Sequence, residues 1–252
     1  MNSFSKSERA SDIELAIMQM QDAEKAKVLM RFFKTGPGQY GEGDRFLGVT
    51  NPKIRLVVRE SWRQTSLEEA AELVHSVWHE VRCCGLLIMV EHYKYAMRRH
   101  DEQSMLRMVD LYISLHDYIN NWDLVDLTVT KTLGDYEVTH PKFKVLDEWI
   151  KPGHTLWQRR ISMVATWAHV RKDEFCRLIV RAEMLLNSHD DLLHKAAGWM
   201  LREMYKRSEL GEAELISFLD KHIGDMPAVM LSYACEKMSE DERIEWRKRR
   251  KA

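Results

Sequence analysis

Apolar positions along this chain return every three to four residues. Met105, Met108, Val109, Tyr112 and Leu115 share one helical face, and so do Phe175, Leu178, Ala182, Leu185 and Leu186, the pattern of amphipathic helices with one side turned to a core. No long stretch alternates with period two, and neither Asn-Gly nor Asp-Gly occurs to turn a hairpin. Start signals agree with helices: Ser66–Glu69, Ser188–Asp191 and Ser239–Glu242 each set a hydroxyl three residues before a carboxylate, the reciprocal cap of a helix N-terminus. The five prolines punctuate the chain at Pro37 in a glycine-rich stretch, Pro52 after a capping Asn51, Pro141, Pro152 and Pro227. The pattern predicts an all-α protein.

The helices repeat. Segments starting at Arg82 (RCCGLLIMVEHY), Asp123 (DLVDLTVTKTLG), Arg160 (RISMVATWAHVR) and Lys195 (KAAGWMLREMYK) align without gaps, and their starts lie 41, 37 and 35 residues apart. A weaker fifth unit, PAVMLSYACEKM, opens at Pro227. Ordinary amphipathic helices can align by chance, but this spacing matches two-helix repeats of the HEAT or armadillo kind. The expectation is a HEAT-like α–α superhelix, one solenoid domain over residues 1–252, with a concave face for an extended ligand. Residues 1–12 are expected to be a flexible start and 244–252 a basic tail.

Composition narrows the class. At 45% hydrophobic and 31% charged residues the chain is globular, not disordered. The start has no basic stretch followed by an apolar one, and the apolar run ending in Leu86–Val90 is too short for a membrane span. Cys83, Cys84, Cys176 and Cys235 show no metal-ligand spacing, so they are expected to be buried, reduced thiols in a cytoplasmic protein.

Charge first argues against nucleic acid, because 38 Lys+Arg meet 39 Asp+Glu. Its distribution argues the other way. Residues 156–172 hold Arg159, Arg160, Arg171 and Lys172 with no acid, and residues 192–208 hold Lys195, Arg202, Lys206 and Arg207 against Glu203. Trp157 and Trp199 lie in the same segments, and cations interleaved with aromatics suit a phosphodiester backbone. Solvated helix faces would look alike. In NNWDLVD, Trp122 and Asp126 are four apart and share a face. Asp123 suits the first turn, but Asp126 sits among Val125, Leu127 and Val129, where a carboxylate needs a partner or a task. A salt bridge to a base such as Arg160 is one answer and catalysis is another.

Six ordered segments resemble the AlkD-like DNA alkylation repair glycosylases: FFKTGPGQYGEGDRFLGVTNPKIR (32–55), EVRCCGLLIMVEHY (80–93), NWDLVD (121–126), LWQRRISMVAT (156–166), KAAGWMLREMYK (195–206) and YACEKMSEDER (233–243). The resemblance implies a monomeric HEAT-like solenoid that cradles duplex DNA and removes N3- and N7-alkylated purines without metal or cofactor, acting on the nucleoid of a bacterial-type cytoplasm. It implies Asp126 as the catalytic carboxylate and Trp122 and Trp199 as cleft tryptophans. Arg160 in W-x-x-R and Arg202 in GW-x-L-R-E would contact DNA, with Arg159, Lys195 and Phe32 beside them. Phe32 stands where relatives carry Tyr, Asn121 stands in place of a second aromatic, and Gly36–Gly43 is an insertion. The rival reading is a non-catalytic helical-repeat module that binds DNA or protein on the same face.

Overall fold

The computed structural model describes residues 7–251 as helices joined by short loops, with no strand among them and an isolated bridge between Arg45 and Trp78. No helix among these residues is long and apolar enough to cross a membrane. The chain divides after Thr128 into two compact units.

The first unit contains α1 (Glu8–Met18), α2 (Ala23–Phe32), α3 (Asn51–Ser61), α4 (Leu67–Val74), α5 (His79–Arg98), α6 (Glu102–Ser114) and α7 (Trp122–Thr128). The second contains α8 (Leu133–Thr139), α9 (Val145–Trp149), α10 (Leu156–Ala165), α11 (Trp167–Val170), α12 (Cys176–Leu185), α13 (Asp191–Tyr205), α14 (Glu209–His222), α15 (Ala228–Ala234) and α16 (Glu240–Lys251). The five aligned segments fall on α5, α7, α10, α13 and α15. Within the units these repeat helices stack on one another, α5 on α7 and α10 on α13 on α15, as helical repeats require.

Small residues at one repeat position let the helices approach. Gly85 and Gly198 each stand three residues after the basic residue that opens their segments. A Cβ on Gly85 would lie 2.5 Å from the Ala70 carbonyl of α4, and one on Gly198 would lie 2.5 Å from the Met230 carbonyl of α15. No larger residue fits without moving backbone.

Four expectations change. The stretch DLVDLTVTKTLG is not one helix: α7 ends at Thr128, a 3₁₀ turn spans Val129–Lys131, and α8 begins at Leu133. Its run of β-branched residues, Thr128, Val129, Thr130 and Thr132, disfavours a continuous helix. Residues 244–251 are the body of α16, not a tail, because Trp246 is buried and Arg249 lies over its ring at 4.2 Å. At the other end α1 already covers residues 8–12 of the expected flexible start; residues 1–6 lie outside the description. Of the cysteines, Cys83, Cys84 and Cys235 are buried and free, whereas Cys176 is exposed and free.

Candidate active site

The first unit encloses an open cavity of about 360 Å³ between α2, the 46–51 loop, α5 and α7. Asp126 lines it, together with Trp122, Phe32, Phe33, Phe46 and His79. Sequence spacing brought Trp122 and Asp126 to one face of α7, and the fold turns that face to the cavity.

Aromatic rings form one wall. Phe33 stacks on Trp122 with centroids 5.1 Å apart and on Phe46 at 4.9 Å. Phe32 meets the Trp122 edge at 5.8 Å and is 62% exposed, so it forms the rim. Trp122 is therefore core on one side, packed on the Phe33 cluster, and cavity wall on the other. Beneath Asp126, the buried Tyr112 hydroxyl meets Thr128 Oγ1 at 2.7 Å. Burial pushes the Tyr112 phenol well up, Thr128 opposes this, and the Asp126 charge adds to the rise.

Behind the wall lies a charged network that the sequence reading missed. His79 opens α5; its Nδ1 is 2.8 Å from Asp44 and its Nε2 2.9 Å from Asp123. Arg82 donates to Asp44 at 2.7 Å, and Asn121 Nδ2 donates to the same carboxylate at 3.1 Å. Burial lowers the His79 pKa, but the charges and hydrogen bonds of Asp123 and Asp44 outweigh it and raise the ring to about 9. Burial likewise raises Asp44, yet His79, Arg82 and Asn121 bring it down to about 2. His79 is thus an imidazolium at neutral pH, and its ring stacks on Phe46 at 4.3 Å. The neighbouring Glu80 carboxylate accepts from the backbone N–H groups of Leu47, Gly48 and Val49 at 2.8–3.1 Å. Together His79 and Glu80 fix the loop that carries Phe46. A visible signal existed: a histidine and a glutamate open the helix that carries the longest apolar run of the chain, Leu86–Val90.

Asn121, expected to stand in an aromatic wall, is instead wholly buried, its side-chain oxygen accepting from the Trp122 N–H at 2.9 Å. The Gly36–Gly43 insertion folds back on the end of α2, where Gly41 N–H donates to the Lys34 carbonyl at 3.1 Å, and so delivers Asp44 and Phe46 to the network.

The remaining expected residues belong to the second unit. Trp199 is half-buried on α13. Arg160 is 5% exposed, and its Nη1 donates to the Leu192 carbonyl at 2.7 Å, bracing the start of α13. Arg202 is held between Glu203, at 3.0 Å, and Glu236. Arg159 is half-buried and donates to the Ile150 carbonyl at 3.2 Å. Lys195 is half-buried on α13 with no carboxylate partner among the described residues.

The family model described as DNA alkylation repair enzyme matches residues 13–238. Among solved structures, one described as a predicted DNA alkylation repair enzyme from Enterococcus faecalis superposes with a TM-score of 0.65 at 12% identity, covering 87% of this chain and 97% of that one; at such identity the likeness concerns the fold. None of the curated proteins matches the chain.

Proposed function

Because the chain belongs to the DNA alkylation repair enzyme family, we propose that it hydrolyses the N-glycosidic bond of N3- and N7-alkylated purines in duplex DNA. The observation that carries this reading is Asp126 in a cavity walled by Trp122, Phe33 and Phe46. An acid in a groove that only bound phosphates would repel its ligand, and this speaks against the non-catalytic alternative.

Alkylation at N3 or N7 makes the purine cationic, so it leaves without being protonated. The C1′–N9 bond breaks, its electron pair returns to the purine, and the base departs neutral. The sugar then carries oxocarbenium character, which a nearby carboxylate stabilises. Asp126 supplies that charge and orients a water molecule whose oxygen bonds to C1′; the released proton passes through the carboxylate to solvent. The electron-rich face of Trp122 attracts a cation by roughly 0.5–2 kcal/mol, which favours the charged lesion over the neutral base. Lys195 is proposed to hold a phosphate.

The test is Asp126→Asn. Excision of 7-methylguanine, read as alkali cleavage at the abasic site, should fall by at least about 100-fold, while the circular dichroism spectrum and duplex affinity stay as in the wild type. Wild-type excision by this variant would end the assignment.

A further inference from the structure

The second unit holds another cleft, of about 240 Å³, between α15 and α16. Arg243, Arg247 and Arg250 form its α16 wall, and Ser232 of α15 and Cys235 just past its end line it as well. The arginines stand at i, i+4 and i+7, one face of a helix over roughly 10 Å of axis.

These charges are incompletely neutralised. Glu240 pairs with Arg243 at 2.9 Å and reaches Arg247 only at 4.0 Å. Arg250 spends its Nε on the neutral Met226 carbonyl at 2.7 Å, which fixes the guanidinium and leaves its charge. No carboxylate lines the cleft. Burial pushes the Cys235 thiol up to about 12, although Arg243 and Arg247 pull the other way, so no thiolate serves as counter-ion. The wall is also held in place: Trp246 is buried, and Arg249 on the other side of α16 pairs with Asp220 of α14 at 2.6 Å.

We propose that this cleft binds phosphate groups of one DNA strand, a contact separate from the Asp126 cavity. Guanidinium forks match phosphate oxygens in pairs, and the exposed Ser232 hydroxyl adds a donor. Three arginines in line over about 10 Å correspond to about three nucleotides at 3.4 Å of axial rise, more than a single free phosphate would engage. The inference rests on DNA being the substrate but not on the role of Asp126.

The experiment uses the full chain and a fluorescein-labelled duplex without lesions, its affinity measured by anisotropy against NaCl concentration. Arg247→Gln should lower the slope of log K against log salt by about 0.9, and Arg247→Gln with Arg250→Gln, neither held by a close carboxylate, by about twice that. Ser232→Glu, which sets an acid in the cleft at an exposed position, should weaken binding further at each salt concentration. Lys248→Gln removes a charge from the same helix outside the cleft and should leave the slope unchanged. Thermal unfolding checks that each variant is folded. A wild-type slope for folded Arg247→Gln, or an equal loss in Lys248→Gln, overturns the proposal. Calorimetry with inorganic phosphate separates the two sources: saturable phosphate binding lost in Arg247→Gln, with duplex affinity intact, would make this a free-phosphate site and overturn the DNA contact. Because the duplex carries no lesion, these results stand whether or not Asp126 proves catalytic.

Discussion

His79 decides how firmly the aromatic wall is held. Its two nitrogens reach Asp44 and Asp123, and with Arg82 the cluster balances two cations against two carboxylates inside the first unit. The His79 pKa is raised from 6.5 to about 9, so its stabilisation is complete below about pH 6.5 and disappears as pH rises through 9. The Asp44 pKa is lowered from 3.8 to about 2, so its contribution is complete above about pH 4 and disappears as pH falls toward 2. The network is therefore strongest between about pH 4 and 6.5. A shift of this size on His79 corresponds to something on the order of 3 kcal/mol. His79→Gln should destabilise the protein by about that amount, because two buried carboxylates would face Arg82 alone. It should also flatten the loss of stability between pH 6.5 and 9.5 seen by urea unfolding of the wild type. Parallel pH curves for variant and wild type would show that His79 is not the titrating group.

Among the elements, what was legible followed from spacing inside one helix. Four-residue spacing put Trp122 and Asp126 on a shared face, and the capping boxes at Ser66–Glu69 and Ser239–Glu242 are present, each carboxylate accepting from its serine N–H. Ser188 instead accepts from the Asp190 N–H, and Asp190 is the N-cap residue just before α13. What was not legible depended on distance along the chain: His79 lies 35 residues from Asp44 and 44 from Asp123, and Arg160 lies 32 residues from the carbonyl it braces. No local pattern announces such partners. The glycines of the repeat test the packing directly. Gly198→Ala gains about 1 kcal/mol of helix propensity, but its Cβ would meet the Met230 carbonyl at 2.5 Å and Tyr233 Cβ at 2.6 Å. Overpacking of that kind costs about 1–3 kcal/mol, so a net loss of up to about 2 kcal/mol is expected by urea denaturation. Gly224→Ala, where an added Cβ meets nothing within 4 Å, should be neutral or stabilising. Equal stability of the two variants would mean that α13 and α15 approach less closely than described.

Across the whole molecule the near-zero charge hides a division of labour. The first unit carries 16 Lys+Arg against 19 Asp+Glu, giving −3, and the second 22 against 20, giving +2. The unit that holds Asp126 is the acidic one, and the surplus of cations lies in the other. Even there, formal charge overstates what DNA can use. Arg177 and Arg181 are committed to Asp147 and Glu137, Arg207 to Asp173, and Arg202 to Glu203 and Glu236. A cation already satisfied by carboxylates releases little when it meets a phosphate, because the new pair replaces an old one and strands an acid beside the DNA. Lys195 has no such partner among the described residues. Lys195→Ala should therefore weaken binding of undamaged duplex and lower its salt slope by about 0.9. Arg202→Ala should leave that slope unchanged and instead lower thermal stability, since Glu203 and Glu236 lose their shared cation. Measured side by side by anisotropy titration and thermal unfolding, the reverse ranking would return Arg202 to the phosphate contacts and mean that its ion pairs open when DNA binds.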